Sequence, residues 1–304
     1  MTTDLLHTDL DRVTGFTLPD RNARGRIARL GPVLDTILSA HAYPQPIEAV
    51  LAEALTLTAL LGSLLKEAKG QLTLQAQTRG GAASLLVCDY LDGALRGYLQ
   101  YDPEELGRLG DAPPLDALLG VGHLAITFDQ VVSGERYQGI VPLDGSTVAA
   151  AAESYFRQSE QIPSLIRIAA RRRADGAHLA GGLFLQHLPD GEEGRERLHT
   201  RLDHPEWQHV EALAATVGAD ELTDATLPLE TLVWRLFNEE REVRVHLPTT
   251  LSRGCRCDAT YIAQVLAKFS AEDRAEMADE QGVISVDCAF CAHSFPVAVA
   301  DVAA

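Results

Sequence analysis

Gly70-Gln-Leu72-Thr-Leu74-Gln-Ala76-Gln is the stretch in which the hydrophobic period of the chain becomes two, with Leu72, Leu74 and Ala76 alternating with polar neighbours. Successive side chains of a strand point to opposite faces, so this alternation predicts a strand with one buried side. Similar runs follow at Ser84–Tyr90, Leu95–Tyr101, His123–Phe128 and Arg136–Leu143, with turn signals at Leu91-Asp92-Gly93 and Ser133-Gly134 between them. Strands this close in sequence predict a mostly antiparallel sheet.

Upstream the period is helical. Gly31-Pro32 opens a segment with Val33, Leu34, Ile37 and Leu38 on one face, Tyr43-Pro44-Gln45-Pro46 breaks it, and a second helix is expected from about Ile47 to Lys66. Its apolar surface (Val50, Leu51, Leu55, Leu57, Leu60, Leu61, Leu64) is broad enough for packing on more than one side. Downstream, a helix is expected over Ser146–Gln161 and two strands over Leu165–Arg171 and Leu179–His187. This order fits an α+β fold better than alternating βαβ units: an N-terminal mixed α/β core with antiparallel sheets over residues 1–189.

Pro189-Asp-Gly-Glu-Glu-Gly194 reads as a boundary, and residues 190–250 as a helical, conditionally stable linker. One amphipathic helix is expected near Pro205–Val217 (Trp207, Val210, Leu213, Val217) and another near Pro228–Glu240 (Leu229, Leu232, Val233, Leu236, Phe237). These stripes must cover something. They are either ordinary docked helices or a conditionally docked segment, because this acidic region has little core of its own. Residues 251–304 form a small terminal module. Ile262, Val265, Leu266 and Phe269 make a helical stripe, and Ser270-Ala-Glu-Asp273 resembles a capping box opening a helix that Gly282 ends. Phe290 and Phe295 are expected to pack about the last cysteine pair.

Composition narrows the function. The 304 residues carry 43 acidic and 26 basic side chains, a net charge of −17, which opposes general affinity for nucleic acid. The triplet Arg171-Arg172-Arg173 reads as a solvated strand end. No apolar run approaches the length of about eighteen residues that a membrane span requires. The first twenty residues lack a signal-peptide pattern, so a cytoplasmic protein is expected. His199, His204 and His209 read as surface residues, and Glu135, Glu153 and Glu160 have no evident acid or base partner. Without a phosphate loop, a nucleophile elbow or a histidine metal motif, no enzyme is expected.

Chemistry concentrates at the end of the chain, where Cys255-Arg-Cys257 is followed after thirty residues by Cys288-Ala-Phe-Cys291. Two close thiol pairs brought together by a small fold supply the four soft ligands of one tetrahedral zinc ion. We therefore expect Cys255, Cys257, Cys288 and Cys291 to bind one zinc ion per chain in the reduced state. Four sulfurs leave no open position for water, which favours a structural metal over a catalytic one. A module of this size needs such a staple, because its apolar core is too small to hold it folded alone. The C-x-C pair can also close into a strained and therefore labile disulfide, which makes redox sensing a candidate. Oxidising either pair would remove two of the four ligands. Cys88, in an apolar strand, reads as a buried core residue. Two other readings remain: a zinc-stabilised cytosolic binding or scaffold protein without a redox switch, and a thiol-disulfide oxidoreductase using Cys288 and Cys291. The latter lacks a βαβ pattern after its motif.

Nearly the whole chain resembles the heat shock protein 33 family, the redox-regulated chaperones of the bacterial cytosol. The resemblance rests on His41-Ala-Tyr-Pro-Gln-Pro46, Ser133-Gly-Glu-Arg-Tyr-Gln-Gly139, Tyr155-Phe156 with Ser159-Glu-Gln161, a turn at Ala180-Gly-Gly182, Trp234-Arg-Leu236 and the two cysteine pairs. It implies an ATP-independent holdase that binds unfolding client proteins under oxidative stress and is inactive while reduced and zinc-bound. It further implies disulfides Cys255–Cys257 and Cys288–Cys291 on oxidation, zinc release, unfolding of the module and linker, and a homodimer of the oxidised form. One departure lies beside the metal ligands, where Asp258-Ala-Thr-Tyr261 replaces the family's usual Ser-x-Glu-Arg.

Overall fold

The structure is a computed structural model that describes residues 10–65, 70–130, 134–143, 147–188 and 202–302. The α+β class holds, and the core strands form two antiparallel sheets, as expected. The chain begins with β1 (Arg12–Leu18) and β2 (Ala23–Leu30), followed by α1 (Pro32–Leu38) and α2 (Gln45–Gly62). Next come β3 (Gln71–Arg79), β4 (Ala83–Leu91) and β5 (Ala94–Tyr101), then α3 (Pro103–Leu109), α4 (Leu115–Leu119), β6 (Val121–Gln130) and β7 (Glu135–Pro142). The core closes with α5 (Val148–Tyr155), a π-helical turn over Phe156–Glu160, β8 (Ser164–Arg172) and β9 (His178–His187). The first sheet has the order β1-β2-β9-β8 and the second β5-β4-β3-β6-β7, with antiparallel pairing throughout.

Helix α2 lies between the sheets and touches both. Thirteen of its eighteen residues are buried, as its broad apolar surface predicts. Its two buried threonines return their hydroxyls to the backbone, Thr56 to Ala52 O at 2.8 Å and Thr58 to Ala54 O at 2.7 Å. No polar group is therefore stranded between the sheets by this helix. Cys88 is fully buried there, and burial pushes its thiol pKa up, beyond the ordinary thiol range. It is the core residue its sequence context suggests.

Strands β1 and β2 have no counterpart among the sequence expectations. β1 is buried on nearly every residue and β2 carries Arg24, Arg26 and Arg29, so neither displays clean alternation. Ala180-Gly-Gly182 is not a turn: it lies inside β9, where Gly181 pairs with Arg29 of β2 and Gly182 with Ala28. The helix expected over Ser146–Gln161 starts at Val148 and widens at Phe156; Ser146 lies outside the described residues, as does Lys66 at the expected end of α2. Tyr155 donates its hydroxyl to Glu160 at 2.6 Å, and Tyr137 of β7 donates to the same carboxylate. Glu153 accepts from Ile166 N and Arg167. These acids are thus structural acceptors.

The boundary expected at 189–194, and His199 beyond it, lie outside the described residues. From Pro205 the chain forms α6 (Pro205–Ala214), the short α7 (Ala219–Leu222) and α8 (Leu229–Phe237). Both expected amphipathic helices are present, each shorter than its pattern. They cover the outer face of the first sheet: Trp207, Val210, Leu229, Leu232, Val233 and Phe237 form a second core with Phe16, Leu18, Ile27, Leu165, Leu183 and Leu185. Arg12 with Glu230 of α8 (2.7 Å), and Arg21 with Glu206 of α6 and with Glu240 just past α8 (2.7 Å), fasten this segment to β1 and the turn after it. His204 caps α6 and stacks on His187, while exposed His209 bonds Glu240 at 2.6 Å.

Three short strands then cross from one sheet to the other. β10 (Arg244–Val245) and β11 (Thr249–Thr250) add to β1, and β12 (Ser252–Arg253) adds in parallel to β5. Between them Leu251 is buried in the inter-sheet core. The terminal module comprises α9 (Ala259–Leu266), α10 (Ala271–Met277), β13 (Val283–Asp287) and β14 (Ser294–Ala298). The capping box is formed: Ser270 Oγ accepts from Asp273 N at 3.0 Å and Ser270 N donates to the Asp273 carboxylate at 3.2 Å. Helix α10 stops at Met277, and Gly282, at φ +75°, serves the turn into β13. Among the described residues, the module's own buried apolar cluster is Leu266, Ile284, Val297 and Val302.

Candidate metal and redox centre

The two cysteine pairs are presented by different local devices. Cys255 and Cys257 follow β12, which is pinned by Ser252 N donating to Gly93 O (3.0 Å) and Gly254 N donating to Leu95 O (2.7 Å). Cys288 and Cys291 lie at the tip of the β13–β14 hairpin. There Cys291 N and Ala292 N both donate to Cys288 O, at 3.2 and 2.8 Å, and Cys288 N donates to His293 O at 2.9 Å. Ala292 takes a left-handed conformation, φ +54°, to close this knuckle.

All four sulfurs lie within 4.8 Å of one another. Cys255 Sγ is 3.2 Å from Cys257 Sγ and 3.6 Å from Cys288 Sγ, and Cys257 Sγ is 3.6 Å from Cys291 Sγ. A tetrahedral zinc with sulfur at about 2.3 Å has ligand edges of about 3.8 Å. These separations fit that polyhedron, and they are far beyond the ~2.05 Å of a disulfide. The cysteines are free thiols, half-buried, as a metal-ligating and oxidisable set must be.

The same crowding sets their acidity. Burial disfavours ionisation of Cys255, but the backbone N–H of Cys257 and the thiols of Cys257, Cys291 and Cys288 outweigh it and bring Cys255 down to about 7. Burial and then the neighbouring Cys255 push Cys257 up to about 12, and burial raises Cys288. One thiolate is thus accommodated readily and a second is opposed, as for any set of like charges this close. A divalent cation removes that conflict, because metal-bound cysteines are all thiolates.

The spacer residues of both motifs reach the core. Phe290, between Cys288 and Cys291, meets the Tyr98 ring edge-on at 5.0 Å, and the Arg96 guanidinium lies 3.9 Å from its ring centre. Arg256, between Cys255 and Cys257, donates to Gln71 Oε1 at 2.8 Å and lies 3.9 Å from Asp89. Buried Asp89 is itself paired with Arg96 at 2.6 Å and accepts from Thr73 at 2.8 Å. The metal loops are therefore seated on the outer face of the second sheet at β4 and β5. The sequence reading kept Phe290 within the module and did not single out Arg96, Tyr98, Asp89 or Arg256. An aspartate inside the otherwise apolar Val87-Cys-Asp-Tyr90 was the available signal, since a buried carboxylate demands partners.

Elsewhere, His178 is held by Asp35 (2.8 Å) and Glu48 (3.1 Å) beside a cavity of about 90 Å³. That volume is well under the roughly 300–1,000 Å³ of usual small-molecule sites. No helix among the described residues is long and apolar enough to cross a membrane.

A family model described as "Hsp33 protein" matches residues 11–297. The chain is 40% identical over 291 residues to the 33 kDa chaperonin of Caulobacter vibrioides, covering 94% of each. It is 32% identical over 293 residues to that of Yersinia pestis, covering 96% of this chain and 94% of the relative. Its fold is similar to the crystal structure of the 33 kDa chaperonin, a heat shock protein 33 homologue, from Thermotoga maritima, with TM-score 0.77 and 22% identity over 96% of both chains. With its paired sheets, helical cover and four-cysteine module, and with a match that runs from β1 to β14, the chain belongs to the Hsp33 family of chaperones.

Proposed function

We propose that this chaperone is a redox-regulated, ATP-independent holdase: it binds unfolding client proteins and keeps them from aggregating under oxidative stress. The observation that carries this reading is the four-sulfur cluster on a module whose buried apolar set is four residues. A fold that small depends on its staple. Cys255, Cys257, Cys288 and Cys291 hold zinc in the resting protein, and the metal supplies cross-linking and charge balance for four thiolates.

Peroxide oxidises each pair, giving Cys255–Cys257 and Cys288–Cys291. Each disulfide forms as a pair of zinc-bound thiolates passes two electrons to one peroxide, whose O–O bond breaks and whose oxygens take two protons from solvent and leave as two waters. Ligation is lost, the module unfolds, and the crossing strands over Arg244–Arg253 transmit that loss to the linker helices, because the same segment pairs with both sheets. In this reading residues 1–189, 190–250 and 251–304 act as core, linker and switch. The oxidised form dimerises, and the protein works in the cytoplasm. Unfolded polypeptide is its partner; nucleic acid and membrane are not.

The test is light scattering of a heat-unfolding client with the protein before and after peroxide at raised temperature, alongside zinc release to a chromogenic chelator and a free-thiol count. Protection that appears together with release of one zinc and loss of four thiols supports the switch. Retained metal with unchanged protection would establish an inert structural site instead, and catalytic insulin reduction would point to an oxidoreductase.

A further inference from the structure

The face beneath the linker is largely apolar, and one end of it is built to hold main-chain carbonyls. Arg29 of β2 is fully buried, and its guanidinium donates from Nε to Leu222 O (3.0 Å), from Nη1 to Leu227 O (2.6 Å) and from Nη2 to Glu221 O (3.1 Å). Arg171 of β8 adds Nη2 to Thr223 O at 2.6 Å. These carbonyls belong to the single turn of α7 and the loop after it, where the closing C=O groups of a helix lack intrahelical partners. Between the two arginines lies Gly181, paired directly with Arg29 across the β2–β9 ladder. A Cβ there would stand 2.0 Å from Leu222 O, so the missing side chain is the notch that admits the helix end. Arg171 is exposed at the strand end, as expected, and its guanidinium also bonds this loop.

Every one of these contacts is to backbone. These hydrogen bonds ask nothing of the occupant's side chains, although Asp224 of the same loop, held low in pKa first by its bonds to Thr226, is also drawn by Arg29 and Arg171; the adjoining Phe16, Ile27, Leu183 and Leu185 pack against the linker's apolar stripe. We propose that this end of the first sheet, formed by Arg29, Arg171 and Gly181, is a helix-end receptor: once the linker has left, it takes the C-terminal turn of an amphipathic helix in a client. The linker's α7 turn is then an internal stand-in for that partner. The proposal rests on the holdase reading for when the face opens, but the face's preference is a separate property.

Opening the face without oxidation separates the two. In full-length protein kept reduced, the V210D/L232D double variant places charges in the linker's apolar seam, and the fluorescence of Trp207, buried when the linker is docked, reports release. The probes are two labelled peptides of one composition, an amphipathic helix fixed by lactam bridges and a counterpart broken by central prolines; anisotropy reads their binding. We expect the opened protein to bind the helix at least about tenfold more tightly than the broken peptide, since charge-assisted bonds to carbonyls carry the difference. Adding Arg29→Met should remove most of that preference, Arg29→Lys should keep part of it, and R171M, at an exposed site, should reduce it without endangering the fold. Equal binding of the two peptides, or a preference unchanged in the arginine variants that remain folded, would overturn the receptor. If oxidised wild type fails to shift Trp207 while the reduced double variant shows the preference, the receptor stands and the redox reading falls.

Discussion

Cys88 and Cys255 are the same side chain in opposite circumstances. Cys88 lies between two sheets and a long helix, fully buried in the inter-sheet core beside the Thr58 hydroxyl, and burial keeps its thiol protonated. Cys255 lies half-exposed on a module with four buried apolar residues, and the thiols around it bring it down to about 7. The inter-sheet core is stable through burial and makes its cysteine inert. The terminal module has little such burial, and under the proposed function its cysteines supply the cohesion, so that altering sulfur would alter the fold.

The strongest way to break this contrast is to remove ligands. Cys288→Ser with Cys291→Ser should abolish tight metal binding and unfold residues 255–302, since structural zinc contributes roughly 10–16 kcal/mol in finger peptides. The two sheets should survive, which amide exchange read separately for β3–β6 and α9–β14 would check. Next in size is Trp207→Ala. It removes a fully buried indole from the linker's core and should cost about 3–5 kcal/mol of linker docking, seen as rapid proteolysis within residues 205–240 while zinc stays bound.

A smaller effect separates the module from its seat. Phe290→Ala deletes the contacts to Tyr98 and Arg96, together about 1–2 kcal/mol, and should lower the peroxide dose that releases metal, with the metal stoichiometry unchanged. The mildest comparison is chemical. In chelator-treated, reduced protein, alkylation of the terminal cluster should be fast above pH 7 and fall as pH drops through about 7, because the depressed Cys255 thiolate is lost by protonation there. Cys88 should stay unmodified across that range, as mass spectrometry of tryptic fragments would record. Reaction of Cys88 in the folded protein would end the contrast.

The sequence was most legible where a pattern is local. The alternation at Leu72–Ala76, the breadth of α2, the stripes of α6 and α8 and the capping box at Ser270 are each repeated within a few residues, and each is present. It was least legible where a residue's role depends on a partner far along the chain. β1 and β2 show little alternation because the pairing of β2 with β9 and the linker cover bury them from both sides. Gly181 resembles a turn residue until Leu222 O is brought against it.

By itself the sequence determined the fold class and the candidate thiol ligands, because periodicity and ligand spacing are properties of neighbouring residues. Tertiary structure alone decided how the strands divide between two sheets, that Arg29 meets carbonyls nearly two hundred residues away, and that Arg256 and Phe290 seat the metal loops on Asp89, Arg96 and Tyr98. Such contacts join segments with no common period, and only the folded chain brings them within hydrogen-bonding reach.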